Sequence, residues 1–286
     1  MSANREPDIS GHPASHGVIY SQFVTNDNHA SAANIIPVEG AYASLCAGVQ
    51  MLKPQLEYTA MLLGATGNVG GRILQLLVQS PLCKKLVVVT RRHVAELANP
   101  KVQQVVVNMD TLEEELAPHA TGVDIALAAF GVGKGSARMA DEEVRKIEIT
   151  YPTAFASAAK AGGARVLAMM TSVGADVRSS TKYLRNFGEK EKKSEALEFD
   201  FLGLYRPAMI LGNSNTPAAL AVVLPLFHWA MPSRYHSIHK NDLARAMVAQ
   251  SEQAFLTLAQ GTGPAAPAVK ILEYKEMELF FVGAED

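Results

Sequence analysis

Residues 61–77 read MLLGATGNVGGRILQLL: an apolar run stops at Gly64, and past three further glycines apolar residues return at helical spacing. The run before Gly64 has the unbroken apolar character of a strand covered on both faces, and Ile73, Leu74, Leu76 and Leu77 form one helix face. Gly64, Gly67 and Gly70 therefore sit in a strand-to-helix turn with the spacing G-x-x-G-x-x-G. At such a turn the first N–H groups of the helix have no intrahelical partner and lie at the positive end of its dipole. Glycines let an anion approach that backbone closely. A diphosphate suits this chemistry, with Thr66, Asn68 and Val69 completing the loop around it. A tight turn with a purely structural purpose is the competing reading, and the surrounding pattern decides against it.

From Tyr58 onward, short β-branched runs alternate with amphipathic stretches. YTAMLLG, KLVVVT, VQQVVVN, VDIALAAFG and RVLAMMTS read as strands, and helices are expected over 69–79, about 111–118, 140–161 and 181–197. Strands apolar on both faces, separated by helices, predict an α/β fold with a doubly wound parallel sheet. Residues 58–286 form that nucleotide-binding domain, and residues 1–57, rich in Ser, Ala, Asn, His and Gly, read as an N-terminal extension. Within the extension, AYASLCAGVQML is a short helix candidate and GVIYSQFV an isolated apolar patch.

With 286 residues and a formal net charge of -2, the chain has no global field to attract nucleic acid. Cys46 and Cys83 are its only cysteines; without a CxxC or histidines at ligand spacing, they indicate neither a disulfide scaffold nor a metal site and read as small apolar residues. His228, His236 and His239 read as structural. Neither a secretory signal nor the Arg-rich, acid-poor balance of a transit peptide is visible, so the expected location is cytoplasmic, with a mitochondrion reached without a recognisable transit peptide as the alternative. The apolar stretch 217–232 is shorter than the roughly 20 residues of a membrane span and contains Pro225. Together with the extension it reads as a substrate or partner segment, within 214–240, through which the chain would meet another protein or itself; packing beneath the extension is the competing reading.

The second strand ends in VVVTRRH. An acid at this point would bind a ribose 2'-hydroxyl, whereas arginines accommodate a 2'-phosphate, so Arg91 and Arg92 point to NADP. The alternative is two ordinary surface arginines.

GATGNVGGRIL, VVTRR, AKAGGARVLAMMTSVGAD, KYLRNFGEKE, LYRPAMILG and HSIHKNDLARAM occur in the order found in atypical short-chain dehydrogenase/reductases, which the chain resembles over roughly residues 58–280. The resemblance implies a Rossmann fold and a nicotinamide dinucleotide. It implies pyrophosphate contacts at Gly64, Gly67 and Gly70, a 2'-phosphate site at Arg91 and Arg92, and adenine contacts at Asn108 and Met109. Ala129, Phe130 and Gly131 would line the ribose and nicotinamide, and Pro207 would face the nicotinamide from the far wall. Ser172, with Thr171 the next candidate, would orient substrate, and Tyr183 would be the catalytic tyrosine.

One departure matters. The superfamily's Tyr-x-x-x-Lys pattern places an ammonium on the tyrosine's helix face, where it holds the nicotinamide ribose and lowers the tyrosine pKa. Here the fourth residue is Phe187. Lys182 and Arg185 lie off that face, Lys190 is two turns away, and Lys190, Lys192 and Lys193, among Glu189, Glu191 and Glu195, read as a solvated face. Ser172 then reads either as a substrate contact or as a strand end, and Tyr183 either as a proton donor or as a packed helix residue. Two functions follow: an NADP-dependent reductase with weakened or absent activity, or a non-catalytic Rossmann subunit in a larger complex.

Overall fold

The computed structural model describes residues 56–132, 139–212, 229, 231–263 and 267–281. The extension through residue 55, Cys46, His228 and most of the 214–240 segment lie outside these residues.

Strand β1 (Tyr58–Leu63) leads through the glycine turn into α1 (Asn68–Gln79). Then come β2 (Cys83–Thr90), β3 (Val102–Val106), α2 (Leu112–Ala120) and β4 (Ile125–Ala128). The expected 140–161 helix exists, but in three parts: α3 (Asp141–Arg145), a π turn (Lys146–Thr150) and α4 (Tyr151–Ala161). Next are β5 (Val166–Met170), α5 (Lys182–Glu195) and β6 (Phe201–Tyr205). The C-terminal part adds short strands β7 (Ile210–Leu211) and β8 (Ile238–His239), the helix α6 (Lys240–Ala259), β9 (Ala268–Leu272) and α7 (Tyr274–Glu278).

Seven strands pair in the order β3-β2-β1-β4-β5-β6-β9, all parallel. The unbroken apolar runs have a direct cause in this arrangement. Along β1, Ala60 and Leu62 enter the core with α1 and α6, whereas Met61 and Leu63 enter the core with α2 and α4. Both faces are covered, so the period-two alternation of a half-exposed strand has no place here.

From β1 the order runs outward in both directions, to β2 on one side and β4 on the other. A sheet with such a reversal opens a crevice at the carboxyl ends of its strands, where loops diverge to opposite faces. Every sequence-derived site residue lies at that end.

Candidate functional site

The glycine turn is held by close backbone contacts. Gly64 has φ +95°, and a Cβ there would sit 2.3 Å from the Ala129 carbonyl oxygen at the exit of β4. A Cβ on Gly70 would lie 2.0 Å from the Gly64 oxygen, so Gly70 lets α1 start against the turn itself. The Gly67 N–H donates to Gly64 O at 2.9 Å, and Gly67 then caps α1 with no side-chain hydrogen bond. The first turn of α1 contains no acid. Its leading N–H groups, at Asn68, Val69 and Gly70, thus precede the first intrahelical bond, from Gly71 N–H to Gly67 O. Thr66 and Asn68 are exposed, whereas the Val69 side chain is in the core and offers the crevice only its backbone.

Three adjoining hollows run along the carboxyl edge of the sheet. One, of about 550 Å³, is lined by Gly64, Thr66, Thr90, Arg91 and Arg92. The next, of about 520 Å³, is lined by Arg91, Asn108, Met109 and Tyr151. The third, of about 190 Å³, is lined by Glu148, Ser172, Tyr183, Phe187 and Pro207. Phe130 borders all three, and Gly131 the second and third, so they form one trough.

Arg91 and Arg92 project into solvent at the end of β2 and form no ion pair among the described residues. Beside them the Thr90 hydroxyl is buried without a hydrogen-bond partner. Asn108 does local work: its side chain accepts from the Asp110 N–H at 3.1 Å and caps the short turn Met109–Thr111. Asp110 accepts from the Tyr151 hydroxyl at 2.9 Å and lies 3.4 Å from Lys146 Nζ, tying that turn to α4 and the π turn. The Tyr151 hydrogen bond and the Lys146 charge hold the Asp110 carboxyl below its usual range.

At the far end, Ser172 and Tyr183 come together. Tyr183 is 55% exposed, and the partial burial it has raises its pKa. An interaction with the Ser172 hydroxyl draws that pKa down, and the nearby Glu148 charge pushes it up. Thr171 is committed elsewhere: its hydroxyl donates to Glu191 Oε1 at 2.7 Å within the fold. Phe187 is buried, with its ring edge-on to Tyr183 at 4.8 Å between centroids.

The helix beneath Tyr183 corrects one expectation. Lys192, Lys193 and Glu195 are exposed as expected, but Lys190 is 1% and Glu191 4% exposed. Positions 183, 187, 190 and 194 fall on one helical stripe, and in α5 the stripe from Phe187 onward faces the fold interior. A seven-residue step brings Lys190 back under the tyrosine's face, a signal present in the spacing. Lys190 Nζ lies 3.7 Å from Glu148 Oε2 and 4.3 Å from the centroid of the Phe187 ring. Burial pushes its pKa down to about 8, against the upward pull of Glu148 and Glu191. Glu191 is clamped by Arg206, whose Nε donates to Oε1 at 2.8 Å and whose Nη2 donates to Oε2 at 2.5 Å. That clamp joins α5 to the residue before Pro207. Glu148 and Arg206 carry no local signal, because each finds its partner on α5 from a separate part of the chain.

The histidines are structural where described. His239 caps α6, its Nδ1 accepting from the Asn241 N–H at 3.3 Å, and His236 stacks edge-on with Tyr274. Cys83 is buried and free, its thiol pushed up to about 11 chiefly by burial. No cluster of metal-ligating side chains occurs among the described residues.

The family described as NAD(P)H-binding matches residues 64–254. The chain belongs to it, as an atypical short-chain dehydrogenase/reductase. Protein HTATIP2 of Rattus norvegicus is 36% identical over 155 residues, covering 54% of this chain and 63% of that protein. The mitochondrial protein FMP52 of Candida albicans is 32% identical over 163 residues, covering 54% and 68%. Among solved structures, the Bordetella bronchiseptica enzyme WbmH in complex with NAD+ superposes with a TM-score of 0.53 at 13% identity, covering 80% of this chain and 93% of that one. That likeness concerns the fold.

Proposed function

We propose that this short-chain dehydrogenase/reductase binds NADP(H) and has weakened or absent reductase activity. The observation that carries this reading is the buried Phe187 ring against Tyr183, at the position of the activating lysine. In the proposal the glycine turn and the first N–H groups of α1 hold the pyrophosphate, with Thr66 and Asn68 at its rim. Gly64 and Gly70 leave a backbone cradle that a Cβ would fill, which supports the fit. Arg91 and Arg92 take the 2'-phosphate, and the buried Thr90 hydroxyl beside them is a free hydrogen-bonding group. Asn108 and Met109 border adenine; Ala129, Phe130, Gly131 and Pro207 shape the nicotinamide end.

Bound there, the nicotinamide supplies or accepts hydride. Ser172 and Tyr183 stand where a substrate carbonyl would need a hydrogen bond and a proton. Without a cation beside it, and with Glu148 nearby, the phenol keeps its proton well above neutral pH and is a weak acid for the transfer. Turnover should trail that of a lysine-bearing relative by about 10² to 10⁴-fold. The experiment is NADPH oxidation by native, Tyr183→Phe and Phe187→Lys proteins with aldehydes, ketones and quinones, after each variant is shown to melt cooperatively. Phe187→Lys should raise the rate and Tyr183→Phe should change little. Fast native turnover abolished by Tyr183→Phe would overturn the reading.

A second reading, a non-catalytic subunit of a larger and mitochondrial complex, is favoured by Trp229, which is 87% exposed, and by the mitochondrial name of the Candida relative. Burying such an indole against a partner would contribute substantially to binding. Trp229→Glu should then release co-purifying chains and leave NADP+ affinity intact; a monomer unaffected by the change would count against it.

A further inference from the structure

Beneath Ser172 and Tyr183 lies a carboxylate that the reductase reading leaves without a task. Glu148 is 6% exposed and borders the same hollow as Tyr183, Phe187 and Pro207. It is turned inward by the π turn, whose extra residue lets Glu148 and Ile149 both face the interior. Its Oε1 accepts from the Val132 N–H at 2.8 Å, whereas its buried Oε2 accepts no hydrogen bond. Gly131 makes room for it, since a Cβ there would stand 2.9 Å from Oε1 and 3.2 Å from Oε2. Behind it, Lys190 balances the charge at 3.7 Å but borders none of the three hollows. The ion pair sets Lys190 Nζ near Oε2 without a hydrogen bond between them, so the carboxylate keeps acceptor capacity that a ligand hydroxyl can use.

We infer that Glu148 anchors the nicotinamide ribose, its carboxylate accepting a hydrogen bond from a ribose hydroxyl at the Tyr183 end of the trough, where a lysine at position 187 would have donated one. The inference rests on the cofactor-binding reading and adds the residue that holds the reactive end. A ribose hydroxyl both donates and accepts, so exchanging a cation for an anion reverses the bond without losing it. Lys190 keeps the pair near neutral overall, sparing the cofactor phosphates an uncompensated negative charge. The same exchange works against proton transfer, because a negative charge near Tyr183 disfavours phenolate where a positive one would favour it. Retention of the cofactor and loss of turnover thus have one cause.

The test compares calorimetric affinities for NADP+ and for adenosine 2',5'-bisphosphate, which lacks the nicotinamide riboside. Glu148→Ala alone would strand the Lys190 ammonium, so the working variant is Glu148→Ala with Lys190→Met. It should bind adenosine 2',5'-bisphosphate like the native protein and NADP+ about tenfold to a hundredfold more weakly. On the unmodified protein, an NADP+ analogue lacking both hydroxyls of the nicotinamide ribose should show a loss of the same order, a readout independent of how any variant folds. Native-like NADP+ affinity in a folded double variant, or equal affinity of the native protein for NADP+ and the dideoxy analogue, would overturn the ribose contact while leaving cofactor binding standing. Failure of the native protein to bind NADP+ and NAD+ at all would overturn the cofactor reading and the ribose contact with it.

Discussion

Lys190 shows how much one side chain depends on its surroundings. Its ammonium is buried among Glu148 from the π turn, Glu191 from its own helix and the Phe187 ring, and desolvation lowers its pKa to about 8. An unfolded chain holds that proton to about 10.4. Between those values the unfolded state binds more protons than the folded one, so this group makes stability rise with pH. Native protein compared with Lys190→Met should gain about 1 to 2 kcal/mol between pH 7.5 and 9.5, measured by urea unfolding at each pH. A flat difference would show that Lys190 keeps its ordinary affinity for the proton. Arg91 and Arg92 are the opposite case, exposed and without ion-pair partners among the described residues, and so available to a phosphate. Their double alanine variant should lose NADPH affinity by roughly a hundredfold and NADH affinity by little, each charge-assisted contact contributing about 1.5 kcal/mol or more. Equal losses would assign the arginines to the surface.

Among elements, α5 matters most, because it carries Tyr183 and is joined to the end of β6 by the Glu191–Arg206 clamp. Arg206→Met would leave the Glu191 carboxylate buried without its cation and should cost about 3 to 5 kcal/mol. Adding Glu191→Met should recover much of that loss, since two apolar groups of similar volume leave no charge stranded. Thermal melts of both variants decide the point, and a single variant with native stability would show that the clamp contributes nothing. The glycine turn is less forgiving. Gly70→Ala would place a methyl group 2.0 Å from the Gly64 oxygen, so α1 must shift from the turn, with losses of both stability and nucleotide affinity.

At the scale of the whole molecule, the trough touches the ends of β1, β2, β4 and β5 together, so a dinucleotide lying in it would bridge both halves of the sheet. A ligand that binds only the folded state stabilises it by about 2.7 kcal/mol at a hundredfold excess over its Kd. For a domain of this size that corresponds to a rise in Tm of roughly 5 to 10 °C with NADP+, read in a scanning melt. No change at millimolar NADP+ or NAD+ would remove the nucleotide from any account of the protein.

The domain from Tyr58 to β5 is legible in the sequence because its signals are local. Unbroken apolar strands, glycines at a forced close approach and amphipathic helices each act within a few residues, and expected helix ends agree with the structure within two residues. Beyond β5 the signal thins: β6, β9 and the long α6 have weaker local signatures, and α6 is buried along much of its length and buries polar residues such as Gln250 and Ser251 as well. The departure at Phe187 was also plain from residue identity and spacing alone. What residue identity could not decide was where the neighbouring charges go. Lys190 and Glu191 sit in a run of lysines and glutamates that looks like any wetted helix face, and only the docking of α5 against the π turn and β6 sends two of them inward. Burial and charge pairing depend on partners 15 and 42 positions away in the chain, Arg206 and Glu148. The seven-residue step from Tyr183 gives the face Lys190 lies on, but no local pattern encodes partners so distant; the packing of the elements sets them.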